Sequence, residues 1–221
     1  MRFANCRVEA KVILDATELG DLLALAEIPY RWGWEWYSEW QEPSAPRHPS
    51  RLTQTYSVQA PTWVFVLQAF EAKTAPLMTS ASKSNPASRG MDQFAESWAG
   101  FGRESFLDYG RLPGNRFMIN WPEQGNDYGL QADRLIQSDS ARQEFLRESY
   151  AHSQYYAEWL QQQLGRGYGL ATDVFPEAPL GGGAYALQPY YRESRRLHGL
   201  ATVSEQEILP VANGQVAALP I

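Results

Sequence analysis

The hydrophobic pattern breaks the chain into a few elements separated by long polar stretches. Val12, Ile13 and Leu14 are three consecutive apolar residues that run into the small and polar Asp15, Ala16 and Thr17. An uninterrupted apolar run of this length predicts a short buried strand over residues 10–17, of the parallel kind. Glu18 to Ala26 follows, with Leu19, Leu22, Leu23 and Leu25. It predicts a short helix with Asp21 as its N-cap, ended by Pro29. Strand, tight turn and helix is α/β grammar. Trp32, Trp34 and Trp36 alternate, which predicts one face of an extended segment. Residues 41–61 are rich in Pro and Ser and predict loop, whereas Thr62 to Leu67 predicts a second strand. Residues 74–90 form a Ser-rich polar excursion. Between Trp98 and Tyr128, glycines and prolines predict turns with short strands.

The clearest helix covers residues 141–164. Ser140 and Gln143 have the spacing of a capping box. Ala141, Phe145, His152, Tyr156, Trp159 and Gln163 share one face, and Gly165 stands at the C-cap. At 1.5 Å per residue the helix is about 36 Å long. Near the end, residues 208–211 look strand-like, and no internal repeat is present.

Composition narrows the class. A chain of 221 residues makes one large domain or two small ones and hides roughly 70% of its unfolded surface. Apolar residues are 44% and charged residues 20%, an ordinary globular balance. With 19 Lys+Arg against 25 Asp+Glu the net charge is −6, which disfavours sequence-independent binding to nucleic acid. The single cysteine, Cys6, excludes an intramolecular disulfide and a Cys-rich zinc site. The longest uncharged apolar stretch, residues 61–70, is about half the ~20 residues of a membrane span. The start of the chain does not read as a secretory signal. A cytoplasmic location and no membrane partner are the resulting expectations.

Three constellations bear on chemistry. Arg192, Arg195 and Arg196 lie within five residues with Glu193 among them. On a helix two of the guanidinium groups would converge on a carboxylate or an electron-rich ring; the alternative is a salt-bridged structural element. Asn120, Asn126 and Asp127 sit in a Gly- and Pro-containing loop with Trp121. They either line a pocket for a hydroxylated substrate or serve the turns themselves. The three histidines are His48, His152 and His198. His198 is a candidate general base, His152 reads as structural, and no pair has metal-ligand spacing. The tryptophan stripe is either the wall of a substrate domain or a stacking platform. The platform reading leaves open a non-catalytic module that binds carbohydrate or a protein partner.

Four segments, in order, resemble a family of FAD-dependent oxidoreductases. They are Val12-Ile13-Leu14-Asp15-Ala16-Thr17-Glu18-Leu19-Gly20-Asp21-Leu22-Leu23-Ala24, Ile119 to Tyr128, Tyr155 to Gly165, and Tyr190-Tyr191-Arg192-Glu193-Ser194-Arg195-Arg196-Leu197-His198-Gly199. With residues 61–63 the resemblance spans roughly residues 8–210. It implies an α/β fold, α+β in the substrate part: an incomplete FAD/NAD(P)-binding flavoprotein fold with a mixed sheet. Residues 1–30 would be a remnant of the FAD-binding domain, 31–200 a substrate or cap domain, and 201–221 the return toward the FAD domain. The implied activity is hydride transfer from a small organic substrate to FAD. Ala16, Thr17, Gly20 and Asp21 would lie near the cofactor. Arg192, Arg195, Arg196 and His198 would be catalytic, and Asn120, Asn126 and Asp127 would meet the substrate.

One departure is specific. Such families open with a G-x-G-x-x-G turn that cradles the pyrophosphate. Here Gly100-Phe101-Gly102 has Ser105 in place of the third glycine, Gly165-Arg166-Gly167 has Leu170, and Gly181-Gly182-Gly183 lacks the spacing. By the same resemblance, the segment that completes the flavin domain at the C-terminal end is also expected to be absent from this chain. The expectation is an internal portion of the flavoprotein, partnered by a separately encoded FAD-binding segment and holding FAD poorly by itself.

Overall fold

A computed structural model describes residues 2–3, 6–7, 9–71, 74–79, 91–100, 102–120 and 122–208. In chain order the strands are β1 (Arg2–Phe3), β2 (Cys6–Arg7), β3 (Tyr30–Arg31), β4 (Phe65–Ala69), β5 (Arg111–Leu112), β6 (Arg116–Ile119), β7 (Tyr168–Leu170) and β8 (Arg196–Leu197). The α-helices are α1 (Asp21–Leu25), α2 (Tyr37–Trp40), α3 (Arg51–Thr55), α4 (Gly102–Tyr109), α5 (Arg134–Gln137), α6 (Asp139–Leu164) and α7 (Glu205–Ile208). A 3-10 turn covers Met91–Phe94 and a π-helical turn Pro122–Asn126. The chain divides into two units, residues 1–48 with 193–221, and residues 49–192.

The 49–192 unit is built on a four-stranded antiparallel sheet in the order β5-β6-β4-β7. Phe65 pairs with Ile119, and Leu67 pairs with Phe117 on one side and Leu170 on the other. Helix α6 supplies the second layer. Phe145, Ser149, His152, Tyr156 and Leu160 recur at three- and four-residue steps and are buried, the stripe an amphipathic helix turns to a core. That core joins Trp63, Phe65, Leu67, Phe94, Tyr156 and Leu160. The buried Gln161 beside it is partnered. Gln161 accepts from the Met78 amide at 2.8 Å and donates to the carbonyls of Pro76 and Tyr168 at 2.9 Å each.

The other unit is differently made. Strands β1 and β2 form a small ladder, and β3 pairs with β8, Tyr30 opposite Leu197. Helix α7 is held by Glu205, whose carboxylate accepts from the Ser44 amide and hydroxyl at 2.8 and 2.6 Å. Among this unit's described residues Leu19 is the one buried apolar side chain. Trp34 and Trp40 are exposed, and Trp32 and Trp36 are half-buried.

Several expectations are corrected. Residues 10–17 form no strand, and Val12, Ile13 and Leu14 are 74%, 55% and 85% exposed. A strand needs neighbours, and no described segment pairs with this one. The sheet is not mixed: every strand pairing among the described residues is antiparallel, because the parallel element was to be residues 10–17. Gly20, at φ 63°, is the N-cap of α1, and Asp21 is its first residue. Helix α6 starts at Asp139, with the Ser138 hydroxyl accepting from the Ala141 amide at 3.2 Å, so no Ser140–Gln143 box forms. Gln163 is exposed and Gln161 is buried in its place. Its end is as the sequence predicts, with Gly165 at φ 79°. The glycine-punctuated stretch contains the eight-residue helix α4, which buries Phe106 and Leu107. Ile208 closes α7, and residues 209–211 of the strand-like segment lie outside the described residues, as do 80–90 of the Ser-rich excursion and Trp121. No helix among the described residues is long and apolar enough to cross a membrane.

Candidate functional site

The turn from Asp15 to Asp21 is closed by its own side chains. The Asp15 carboxylate accepts from the Thr17 hydroxyl at 2.7 Å, the Thr17 amide at 3.0 Å and the Leu22 amide at 3.1 Å. The Thr17 hydroxyl oxygen accepts from the Asp21 amide at 2.7 Å, and the Leu23 amide donates to the Gly20 carbonyl at 3.1 Å. These bonds, first of all that from the Thr17 hydroxyl, hold the Asp15 carboxyl below its ordinary range. Ala16 and Thr17 are exposed.

Arg195 clamps this turn from the far end of the sequence. Its side chain is 4% exposed, and its Nη1 donates to the Leu19 carbonyl and the Asp21 carboxylate, both at 2.8 Å. Gly20 is close enough that an added Cβ would lie 3.3 Å from the Arg195 Cβ. Arg196 sits opposite Arg31 on the β3–β8 ladder, and Glu35 serves both, at 3.3 Å from Arg196 and 3.2 Å from Arg31. Arg196 also bonds Glu193 at 3.1 Å and the Gly33 carbonyl. Facing guanidinium groups repel, and the Glu35 carboxylate that both reach offsets that repulsion. His198 is exposed, and its backbone amide donates to the Pro29 carbonyl at 3.3 Å.

A diphosphate does not fit this turn. Anion sites at helix starts rest on unpartnered amides and a positive end field. Here the amides of Asp21, Leu22 and Leu23 already have partners, and an ionised carboxylate stands where the anion would bind. The glycine-rich loop is no substitute. The Gly182 and Gly183 amides donate to the carbonyls of Tyr185 and Phe175 at 2.9 and 3.2 Å. A Cβ on Gly182 would come within 2.6 Å of the Pro176 carbonyl oxygen, so packing accounts for that glycine.

The 49–192 unit gathers a second polar cluster. Thr62 is fully buried and bridges Asp127 and Tyr190 in antiparallel fashion. Its hydroxyl donates to Asp127 Oδ1. Arg192 Nη1 donates to the Ala60 carbonyl at 2.6 Å and lies 3.4 Å from the same Oδ1. Burial pushes the Asp127 carboxyl above its ordinary range, and the Thr62 and Arg192 contacts only partly oppose it. Asn126 is fully buried, and its amide donates to the carbonyls of Trp63 and Ile119 at 2.9 and 3.0 Å, tying the π-helical turn to the sheet. Asn120 is half-buried. Arg192 thus belongs to one unit, and Arg195 and Arg196 to the other.

Next to this cluster His152 is buried, with Nε2 3.0 Å from the Gly125 carbonyl. Burial lowers its pKa. The unfolded chain therefore binds a proton that the fold refuses, so stability is lost as pH falls below about 6.5, at up to about 1.4 kcal/mol per pH unit. The urea midpoint of the 49–192 unit is expected to drop between about pH 6.5 and 5 in the wild type. His152→Gln, which keeps a donor for Gly125 and does not titrate, should lose that drop. An unchanged profile in the variant contradicts the assignment.

Thr62, Tyr190 and Glu35 were not marked by the sequence. Thr62 reads as one more strand residue, and its role depends on partners 65 and 128 positions away. Among the described residues no group of His, Cys, Asp and Glu is arranged to hold a metal ion. The model of one protein family, the FAD dependent oxidoreductases, matches residues 1–217. No curated protein and no solved structure matches the chain.

Proposed function

The chain belongs to the FAD dependent oxidoreductases, and from that premise we propose that it is the substrate-facing portion of a flavoenzyme assembled with a separate FAD-binding segment. The assembled enzyme oxidises a small organic substrate by hydride transfer to FAD. The observation that carries this reading is the exposed apolar run Val12-Ile13-Leu14, which pairs with no strand among the described residues. Contiguous apolar side chains left in water are a docking signal, and backbone groups without ladder partners accept an added strand.

The residues of this chain divide the work accordingly. Arg195, through Leu19 and Asp21, fixes the path of the chain just after the docking segment. Arg196, with Glu35, keeps the β3–β8 pair together. On the substrate side Asp127, Arg192 and Asn120 supply polar groups, the first two held by the Thr62 hydroxyl and the Ala60 carbonyl. Where the diphosphate is gripped lies with the partner segment, since the Asp15–Asp21 turn opposes it.

Purification of the tagged chain from its native cells, followed by absorbance near the flavin band, tests the assembly. The flavin-bearing fraction is expected to contain this chain and a polypeptide with strand, G-x-G-x-x-G and helix in succession. If the chain elutes colourless and alone while flavin elutes elsewhere, the assembly is wrong.

A further inference from the structure

We propose that Asp127 and Arg192 form a subsite for a neutral ligand that presents two adjacent hydroxyl groups, such as a polyol or a sugar ring. The inference rests on the oxidoreductase reading only in calling that ligand the substrate. The pair is rigid on its inner side. Asp127 Oδ1 takes the Thr62 hydroxyl, and Arg192 Nη1 is fixed by the Ala60 carbonyl at 2.6 Å. Thr62 itself is locked by two backbone bonds to Tyr190, at 2.8 and 3.1 Å.

The outer side is open. Among the described residues Asp127 Oδ2 and the Nε and Nη2 of Arg192 have no protein partner. The side chains remain 21% and 12% exposed, so these atoms meet solvent and anything dissolved in it. An acceptor and a donor side by side match a hydroxyl pair, in which each group both gives and receives a hydrogen bond. The Tyr190 ring borders them, 56% exposed and with its centroid 5.2 Å from the Arg192 Cζ. That ring offers carbon surface next to the polar pair, which suits a ligand with C–H faces and hydroxyl edges.

Charge decides against the other ligand classes. A carboxylate or phosphate would meet Asp127, and an ammonium would meet Arg192, each at close range in a partly desolvated place. A neutral hydroxylated group meets neither penalty. Partial burial of an ion pair this loosely joined, 3.4 Å apart, adds little to stability, which leaves recognition as what it does well.

Saturation-transfer NMR on the full chain tests this with three versions of one scaffold: methyl β-glucopyranoside, glucuronate and glucosamine. The neutral glycoside is expected to show saturable transfer, with an affinity tighter than about 50 mM. The charged relatives should bind at least about tenfold more weakly. Asp127→Asn and Arg192→Gln should each weaken the glycoside at least about tenfold, with the amide spectrum of the 49–192 unit otherwise retained. If either variant fails to fold, Tyr190→Ala, a surface change, should still reduce transfer to the ring protons. No binding of the glycoside, equal binding of glucuronate or glucosamine, or binding indifferent to the folded variants overturns the proposal. No flavin takes part, so such a failure removes the ligand class and leaves the oxidoreductase reading to the flavin measurements.

Discussion

Trp63→Ala is expected to cost the 49–192 unit about 3–5 kcal/mol from the lost ring alone. Trp63 is 1% exposed and belongs to the main core. Its ring lies 5.1 Å from that of Tyr150, and its Nε1 donates to the Ala186 carbonyl at 2.8 Å. Alanine leaves a cavity in a layer between sheet and helix that has little room to collapse. It also leaves the Ala186 carbonyl without this donor, a further ~1–3 kcal/mol if water does not replace it. Domains are stable by only about 5–15 kcal/mol in total, so the variant should be largely unfolded in mild urea. Trp63→Phe, which keeps most of the volume, should fall between. Urea unfolding followed by far-UV circular dichroism measures both. A loss under about 1 kcal/mol for Trp63→Ala would show that the core is not organised around this residue.

The long helix was legible because its signal is local and repeated. Phe145, His152, Tyr156 and Trp159 set the 3.6-residue period, and Gly165 at φ 79° ends it. Strand β4 was legible for the same reason, although its ladder runs Phe65–Ala69 and Thr62 pairs only through isolated bridges. The failures share a cause. Val12-Ile13-Leu14 has strand chemistry, but strandedness is a property of pairs, and no segment among the described residues pairs with it. Helix α4 was hidden by the glycines around it, although Phe106 and Leu107 anchor it in the core. The Asp127 cluster lay partly in view. Asp127 and Arg192 stood out as polar residues, while the convergence on one carboxylate oxygen needs Thr62, 65 residues before Asp127, and Arg192, 65 residues after it. The arginine cluster read as one group in the sequence, yet its members serve different partners: Ala60 and Asp127 for Arg192, Leu19 and Asp21 for Arg195, Glu35 and Glu193 for Arg196.

The other large effect concerns the cofactor. A diphosphate held by about three charge-assisted bonds gains about 5–9 kcal/mol from them. The step from nanomolar to millimolar affinity is about 8 kcal/mol. If, as proposed, the cradle lies on the partner segment, a dinucleotide goes from tight to negligible binding on this chain, and the Asp15 carboxylate, kept ionised by Thr17 and Leu22, adds repulsion. FAD and riboflavin should then bind the chain equally poorly, since the diphosphate contributes nothing. That equality is a sharper expectation than weak binding by itself.

The decisive measurement is ultrafiltration of the purified chain mixed with equimolar FAD, at about 50 µM each, with riboflavin in parallel. The account predicts that both flavins pass the membrane freely, corresponding to a Kd weaker than about 1 mM. A stoichiometric yellow complex with FAD, retained where riboflavin is lost, would mean that these 221 residues grip the diphosphate themselves, and the proposed division of the enzyme would be wrong.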